Sequence, residues 1–213
     1  MSEPEILAEA RALIERGERV LAVERLMAAL PTLSAGFRRR GHTLAGLAFY
    51  FEGRYADALG MFQAAAEGSD VPEDWFNIAM AQLKVGDLKG ARQNWQRVFE
   101  LSHAHQDPPQ TSSFFEKKAM FARGLLAAGG ADELGLDLVE RQLMGFYTTY
   151  HITETQFWAM RGVPAFEEVL ELTREYYRAL GRSAPDWEAL CDRIASEVDE
   201  PGREFCNQLR GSF

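Results

Sequence analysis

The sequence lacks the features that mark membrane-spanning and secreted proteins. No apolar run approaches the roughly 20 residues that are needed to cross a bilayer. The first residues, Met-Ser-Glu-Pro-Glu, contain no basic region followed by an apolar one, so no secretory signal is predicted. These absences predict a cytoplasmic protein that does not insert into a membrane.

Cysteine is scarce, with only Cys191 and Cys206 and no C-x-x-C spacing. In a reducing compartment both are expected to be free, small, partly buried residues. A disulfide between neighbouring C-terminal helices is the alternative.

Positive charge is also in short supply. Asp and Glu total 32 against 23 Lys and Arg, a net charge of −9, and a negative surface repels phosphate backbones. No nucleic-acid partner is therefore expected. The one basic run, Arg38, Arg39 and Arg40, is interpreted as a solvated turn or as a local acid-binding spot.

Motifs for cofactors and catalysis are missing as well. The sequence contains no Walker-type phosphate loop, no G-x-G-x-x-G and no G-x-S-x-G. His103 and His105, with Asp107, form at most a weak metal-ligand set, because structural zinc needs about four ligands; a solvated loop is the alternative. His42 and His151 have no identifiable partner. No catalytic residue, cofactor or metal is expected.

No stretch alternates apolar and polar residues over a useful length, so no strand is predicted. Apolar residues instead recur at helical spacing, as at Phe166, Val169 and Leu170. The predicted fold class is all-α.

One pattern of residue types occurs twice between residues 39 and 102. A small residue precedes a glycine by seven positions, and an alanine, an aromatic residue and a small or branched apolar residue follow it at five, nine and twelve. The two glycines stand 33 residues apart, a period typical of stacked helical repeats. The positions are Gly46, Gly53, Ala58, Phe62 and Ala65, then Ala79, Gly86, Ala91, Trp95 and Val98.

The pattern has a physical reading. A glycine can adopt the left-handed conformation that ends one helix and lets the chain double back. Small residues on either side of the turn let the two helix backbones approach closely. The aromatic residue fills the space between adjacent hairpins, since one hairpin alone cannot bury its apolar face. Stacking of the hairpins is therefore predicted.

These residues resemble the tetratricopeptide repeat. The resemblance implies a right-handed superhelix of antiparallel helix pairs that usually serves as a docking surface for another protein. The matching residues are Trp75, Ile78, Ala79, Gly86, Leu88, Ala91, Trp95 and Val98, and one repeat earlier Gly46, Phe49, Gly53, Tyr55, Ala58, Phe62 and Ala65.

The positions at which the repeat pattern is interrupted give the predicted domain organisation. A first repeat turns at Gly17, and the segment 32–38 connects it to the second. Ser183 with Asp186 predicts the start of a late helix. The predicted divisions are repeats at about 3–36, 39–71 and 72–102, a loop at 103–113, a degenerate fourth helix hairpin at 114–145, and a non-repeat helical cap at 146–213.

The resemblance also selects the residues of an inner groove, built by the first helix of each repeat. Because this set is mostly apolar, it favours an apolar peptide or an amphipathic helix as the bound partner. A carboxylate clamp, known in one subclass, is not expected: Asn77 matches, but Leu7 and Arg11 occupy two of the other positions. The predicted groove residues are Leu44, Leu47, Tyr50, Phe51, Phe76, Asn77, Met80, Leu83, Lys84, Met120 and Arg123.

The leading hypothesis is a non-enzymatic adaptor or chaperone-like scaffold that binds a partner peptide or helix. A second hypothesis is a self-associating structural oligomer whose groove is filled by its own C-terminal helices. A third is an enzyme with a cavity lined by Tyr150, His151 and acidic groups. For self-association, the candidate contact residues are Leu21, Leu26, Phe205 and Phe213.

Overall fold

The regular elements of the computed structural model are helices throughout, and no strand occurs in the ranges it describes. This confirms the all-α prediction. The chain forms two compact units, Met1–Asp107 and Pro108–Phe213. The described residues are 4–104, 112–151, 153 and 162–213.

The first unit holds three helix pairs. Each helix contacts the next along the chain, from α1 to α6, so the hairpins pack side by side within this unit. A short 3-10 turn, Leu30–Thr32, separates the first pair from the second. The helices are α1 (Glu5–Glu15), α2 (Arg19–Ala29), α3 (Ala35–Phe51), α4 (Tyr55–Ala66), α5 (Pro72–Val85) and α6 (Leu88–Ala104).

Glycine makes the turn within each of these pairs. Gly17, Gly53 and Gly86 have φ angles of 81°, 76° and 82°. These angles lie in the left-handed region, which residues with a side chain rarely adopt. The predicted role of these glycines in the turns is therefore confirmed. After Gly53, the backbone N–H of Arg54 donates to the carbonyl of Phe49, which satisfies an end of α3.

The small residue before the turn allows close helix packing. A Cβ placed on Gly46 would lie 2.5 Å from the Phe62 ring, closer than real Cβ contacts come. Phe62 is buried and belongs to one core cluster with Ile78 and Ala81 of α5. The aromatic residue therefore packs inside its own hairpin as well as against the next one, a wider role than predicted.

Helix α3 begins at Ala35, inside the segment predicted to connect the first two repeats. The predicted connection is therefore shorter than residues 32–38. We attribute the early helix start to Arg38, whose side chain satisfies backbone carbonyls of the preceding segment. Its guanidinium donates to the carbonyls of Leu30, at 3.2 Å, and Leu33, at 2.9 Å. The helix can therefore start directly after the short 3-10 turn.

The arginine run lies within α3 and is not a solvated turn. Arg39 donates to Ser69 Oγ at 3.1 Å and reaches Asp74 Oδ2 at 3.4 Å. Ser69 in turn donates to Asp74 at 2.6 Å, and Asp74 is buried. A buried carboxylate needs such partners, so Arg39 fits the acid-binding alternative and ties α3 to the start of α5.

The second unit contains a helical segment of mixed type. Glycine again makes the turn after the first helix, since Gly129 has a φ angle of 67°. An eight-residue π-helix, Asp137–Met144, continues α8 without a break. The helices are α7 (Ser112–Ala127), α8 (Glu133–Leu136), α9 (Gly145–Tyr150), α10 (Phe166–Ala179), α11 (Ala184–Glu197) and α12 (Glu200–Arg210).

Two predicted boundaries move. Helices α6 and α7 extend into the loop predicted at 103–113, and its central residues 105–111 lie outside the described part of the chain. The predicted hairpin 114–145 does pair α7 with α8 and the π-helix. Its second arm, however, runs on through α9 to Tyr150, since no proline or left-handed glycine interrupts it at Gly145.

Helix α10 is central to the second unit, where it contacts α7, α8, the π-helix and α12. Tyr176 is fully buried and donates from its hydroxyl to the carbonyl of Ala122 at 2.7 Å. Its ring also occupies the space that a side chain at Gly135 would need. Trp187 of α11 is fully buried and stacks on Phe213.

The predicted start of α11 is confirmed, and a side-chain cap forms there. Ser183 Oγ accepts a hydrogen bond from the backbone N–H of Asp186, and the Asp186 carboxylate accepts one from the Ser183 N–H. Replacing Ser183 with alanine should lower the free energy of unfolding by about 1 kcal/mol. The matched control is Ser34→Ala, because Ser34 precedes α3 without a side-chain cap. Equal effects of the two changes in urea unfolding would contradict the assigned cap.

Candidate partner-binding surface

The predicted groove residues on α3 form a line of partly exposed apolar side chains. Leu44 packs against the core of the first hairpin, and Leu47 and Tyr50 pack against the core shared with α5. All three are half-buried, whereas Phe51 at the end of the helix is 54% exposed. Exposure therefore rises toward the turn at Gly53.

On α5 the predicted residues divide into two groups. Phe76 and Leu83 are buried, and the Phe76 ring meets that of Trp95 edge-on at 6.3 Å. These two residues are core, so their prediction as groove surface needs correction. Asn77 and Met80 are half-buried. With Lys84, which is exposed, they remain candidates on this helix.

The reason for the error lies in the periodicity. Helix α5 packs against both α4 and α6, so apolar residues occupy most of its circumference. Sequence spacing places Phe76 on the first helix of a repeat. It cannot show that this side chain turns toward Trp95 within the hairpin.

Aromatic rings and cations link the ends of α3 and α5. The Tyr50 and Tyr55 ring centres are 5.2 Å apart, and the Lys84 ammonium lies 5.8 Å from the Tyr55 ring. On the other side, the Arg19 guanidinium lies 5.6 Å from the Phe51 ring. We call the residues Leu44, Leu47, Tyr50, Phe51, Asn77, Met80 and Lys84 the α3–α5 surface.

The two remaining predicted residues lie in the second unit, on one face of α7. Met120 is 42% exposed, and Arg123 Nη2 lies 2.7 Å from Glu168 Oε2 of α10. Next to this ion pair is a shallow cavity of about 360 Å³ between α7 and α10.

Of the four residues suggested for self-association, Leu26 faces the core, while Phe205 and Phe213 are partly exposed and contact other aromatic rings. Leu26 is fully buried in the core of the first hairpin. The Phe205 ring meets Phe166 edge-on at 6.3 Å, and Phe213 stacks on Trp187. Leu21 is exposed, so that prediction is corrected for Leu26 alone.

Among the histidines, His42 is neutral near pH 7. Burial, followed by the charge of Arg38, lowers the pKa of His42, and its Nδ1 has no hydrogen-bond partner among the described residues. His151 ends α9 and its Nδ1 lies against the carbonyl of Glu197. The side chains of His103 and His105 lie outside the described residues. Within those residues, no group of three or more His, Cys, Asp or Glu could hold a metal ion.

Both cysteines are free, as predicted, and they are buried rather than partly buried. Burial raises the pKa of Cys191 to about 11 and that of Cys206 to about 12. Both thiols are therefore protonated at neutral pH, the state in which cysteine is a poor nucleophile.

Lys118 is a buried cation that sequence reasoning missed. Burial lowers the pKa of Lys118 to about 8, and the charge of Asp137 opposes this effect. Its ammonium lies 4.8 Å from the Phe114 ring and 5.2 Å from the Phe115 ring. Lys117 and Lys118 are adjacent in the sequence, and nothing in the sequence indicates that Lys118 is buried while Lys117 is partly exposed.

A second feature missed from sequence is a cavity of about 760 Å³ in the first unit. Trp75 and Arg97 line it, with the Arg97 guanidinium 5.9 Å from the Trp75 ring. The Trp75 indole N–H donates to the carbonyl of Ser69 at 3.1 Å, which fixes the ring. The sequence identified Trp75 only as a repeat residue. Its hydrogen bond could not be predicted, because the acceptor, Ser69, lies in the connection between α4 and α5.

Comparison of the chain with protein-family models, with curated proteins and with solved structures gives no match. The likeness to the tetratricopeptide repeat thus stays a prediction from the residues. Within the described ranges, the helices are too short or too polar to cross a membrane.

Proposed function

We propose that this chain is a non-enzymatic, cytoplasmic interaction scaffold of the adaptor or chaperone-like kind. In this proposal the hairpins of the first unit form a right-handed, tetratricopeptide-like superhelix. The α3–α5 surface binds an apolar peptide or an amphipathic helix of a partner protein. The observation that carries the proposal is Phe51, a large aromatic side chain left more than half exposed at the end of an apolar line.

The physical support is the position of this exposed side chain. Aromatic residues contribute strongly to binding where they can be fully desolvated by a partner. Leu47 and Tyr50 flank Phe51 and are already half-buried, so their conformations are held by the core. A partner that covers this region meets a preformed apolar surface and orders few side chains on binding.

The test compares two exposed apolar residues. Phe51→Asp should lower the capture of a specific partner from native extract at least about tenfold, because it places a charge on the surface. Met27→Asp is the control, since Met27 is 45% exposed on α2. Both variants should keep the circular dichroism of the parent. A partner retained by folded Phe51→Asp would remove this surface from the proposal.

A second candidate function is self-association through α2. Val20 and Met27 are exposed apolar residues seven positions apart, hence on one face of that helix. Sedimentation at micromolar concentration tests it. A dimer in the parent that is lost in Met27→Asp supports self-association, whereas a strict monomer eliminates it.

A further inference from the structure

The cavity between α7 and α10 has an apolar floor. Leu126 and Ala127 come from α7, and Leu172 comes from α10. Leu172 is buried, while Leu126 is partly exposed and Ala127 is exposed. Met120 lies seven residues before Ala127 on α7, so it extends the same face by two turns. A partner can therefore place apolar side chains along this floor.

One wall of the cavity is acidic. Glu168, Glu171 and Glu175 lie three and four residues apart, which places them on one face of α10. Among the residues that the structure describes, Arg123 pairs with Glu168 alone. Within the described residues, Glu171 and Glu175 have no ion pair, so two carboxylates on this wall are not paired with a cation.

The combination of floor and wall defines the chemistry of what binds. A basic amphipathic helix matches it, with apolar residues on the floor and Lys or Arg opposite the carboxylates. From Glu168 to Glu175 the wall rises about 10 Å along α10. About two turns of a partner helix therefore cover it. Met120, two turns farther along this face of α7, has a flexible side chain that can adapt to different apolar side chains.

We propose that the α7–α10 groove, made by Leu126, Ala127, Leu172, Glu168, Glu171 and Glu175, binds a basic amphipathic helix of another protein. The site shares no residue with the α3–α5 surface, and the proposal does not depend on that surface. Binding requires both the apolar contact and the opposite charge, so it weakens as salt screens the carboxylates.

The experiment uses the full chain and a fluorescent peptide of about four helical turns, with leucine on one face and lysine on the other. Binding is measured by fluorescence anisotropy. The charge reversal Glu171→Lys/Glu175→Lys should weaken it about tenfold or more, and Glu171→Gln/Glu175→Gln about threefold. The parent's circular dichroism should be retained in the milder variant, which keeps the test valid if the reversal unfolds the chain.

The matched control is Glu188→Lys/Glu204→Lys, which changes the net charge equally at exposed positions outside the groove. This variant should bind the peptide like the parent. Equal losses in both reversals, or no binding by the parent, would overturn the proposal. So would a salt-sensitive dimer lost only in the groove variants, because a second copy would then be the occupant. All the variants compared here lie in the second unit, so the test does not use the α3–α5 surface and is independent of the scaffold proposal.

Discussion

Replacing Gly46 with leucine should lower the free energy of unfolding by about 3 kcal/mol, because the interior cannot make room for the new side chain. The first added carbon alone would lie 2.5 Å from the Phe62 ring. Phe62 is buried and cannot swing into solvent. Urea unfolding measures the loss, and hydrogen exchange should place it in α3 and α4.

The control for this prediction is Gly60→Leu. Gly60 lies in α4, is exposed and has no neighbouring atom within 4 Å of an added Cβ. Leucine forms helix better than glycine, so this change should stabilise the protein by roughly 0.5 kcal/mol. Combining Gly46→Leu with Phe62→Ala should cost less than the sum of the two single changes, since leucine enters the vacated space. Strict additivity would contradict the close approach of α3 and α4.

In the second unit, Trp187→Ala should lower the free energy of unfolding by about 4 kcal/mol. Trp187 is fully buried and stacks on Phe213, with ring centres 6.1 Å apart. Its ring also meets Tyr177 at 5.8 Å, and its N–H donates to the carbonyl of Leu209 at 3.1 Å. One side chain thus joins α10, α11, α12 and the segment after α12.

Trp187→Phe separates packing from the hydrogen bond. This variant keeps most of the apolar area and should lose only about 1 to 2 kcal/mol. Hydrogen exchange should show faster exchange in α11 and α12 for the alanine variant. A loss below about 1 kcal/mol for Trp187→Ala would show that the core of the second unit lies elsewhere.

Local chemistry explains what could be predicted from the sequence. Gly17, Gly53 and Gly86 mark turns because a positive φ angle strongly favours glycine. Ser183 marks a helix start because its hydroxyl accepts a backbone N–H. Because these signals act over a few neighbouring residues, they can be recognised in the local sequence.

Features that depend on partners outside the same helix could not be predicted. Helix α3 starts early because Arg38 meets carbonyls of a preceding turn. The burial of Phe76 depends on Trp95, 19 positions away. The α7–α10 groove combines residues more than forty positions apart. Helical periodicity shows that a face is apolar or acidic, and only the packing shows what lies opposite.

The most direct test of the scaffold account is site-specific photo-crosslinking in native extract. A photoreactive phenylalanine analogue is placed at Phe51 in one protein and at Met27 in another. The account predicts that the analogue at position 51 forms an adduct with a defined partner protein, which the analogue at position 27 does not form. The absence of any adduct at position 51, or the same adducts at both positions, would contradict it.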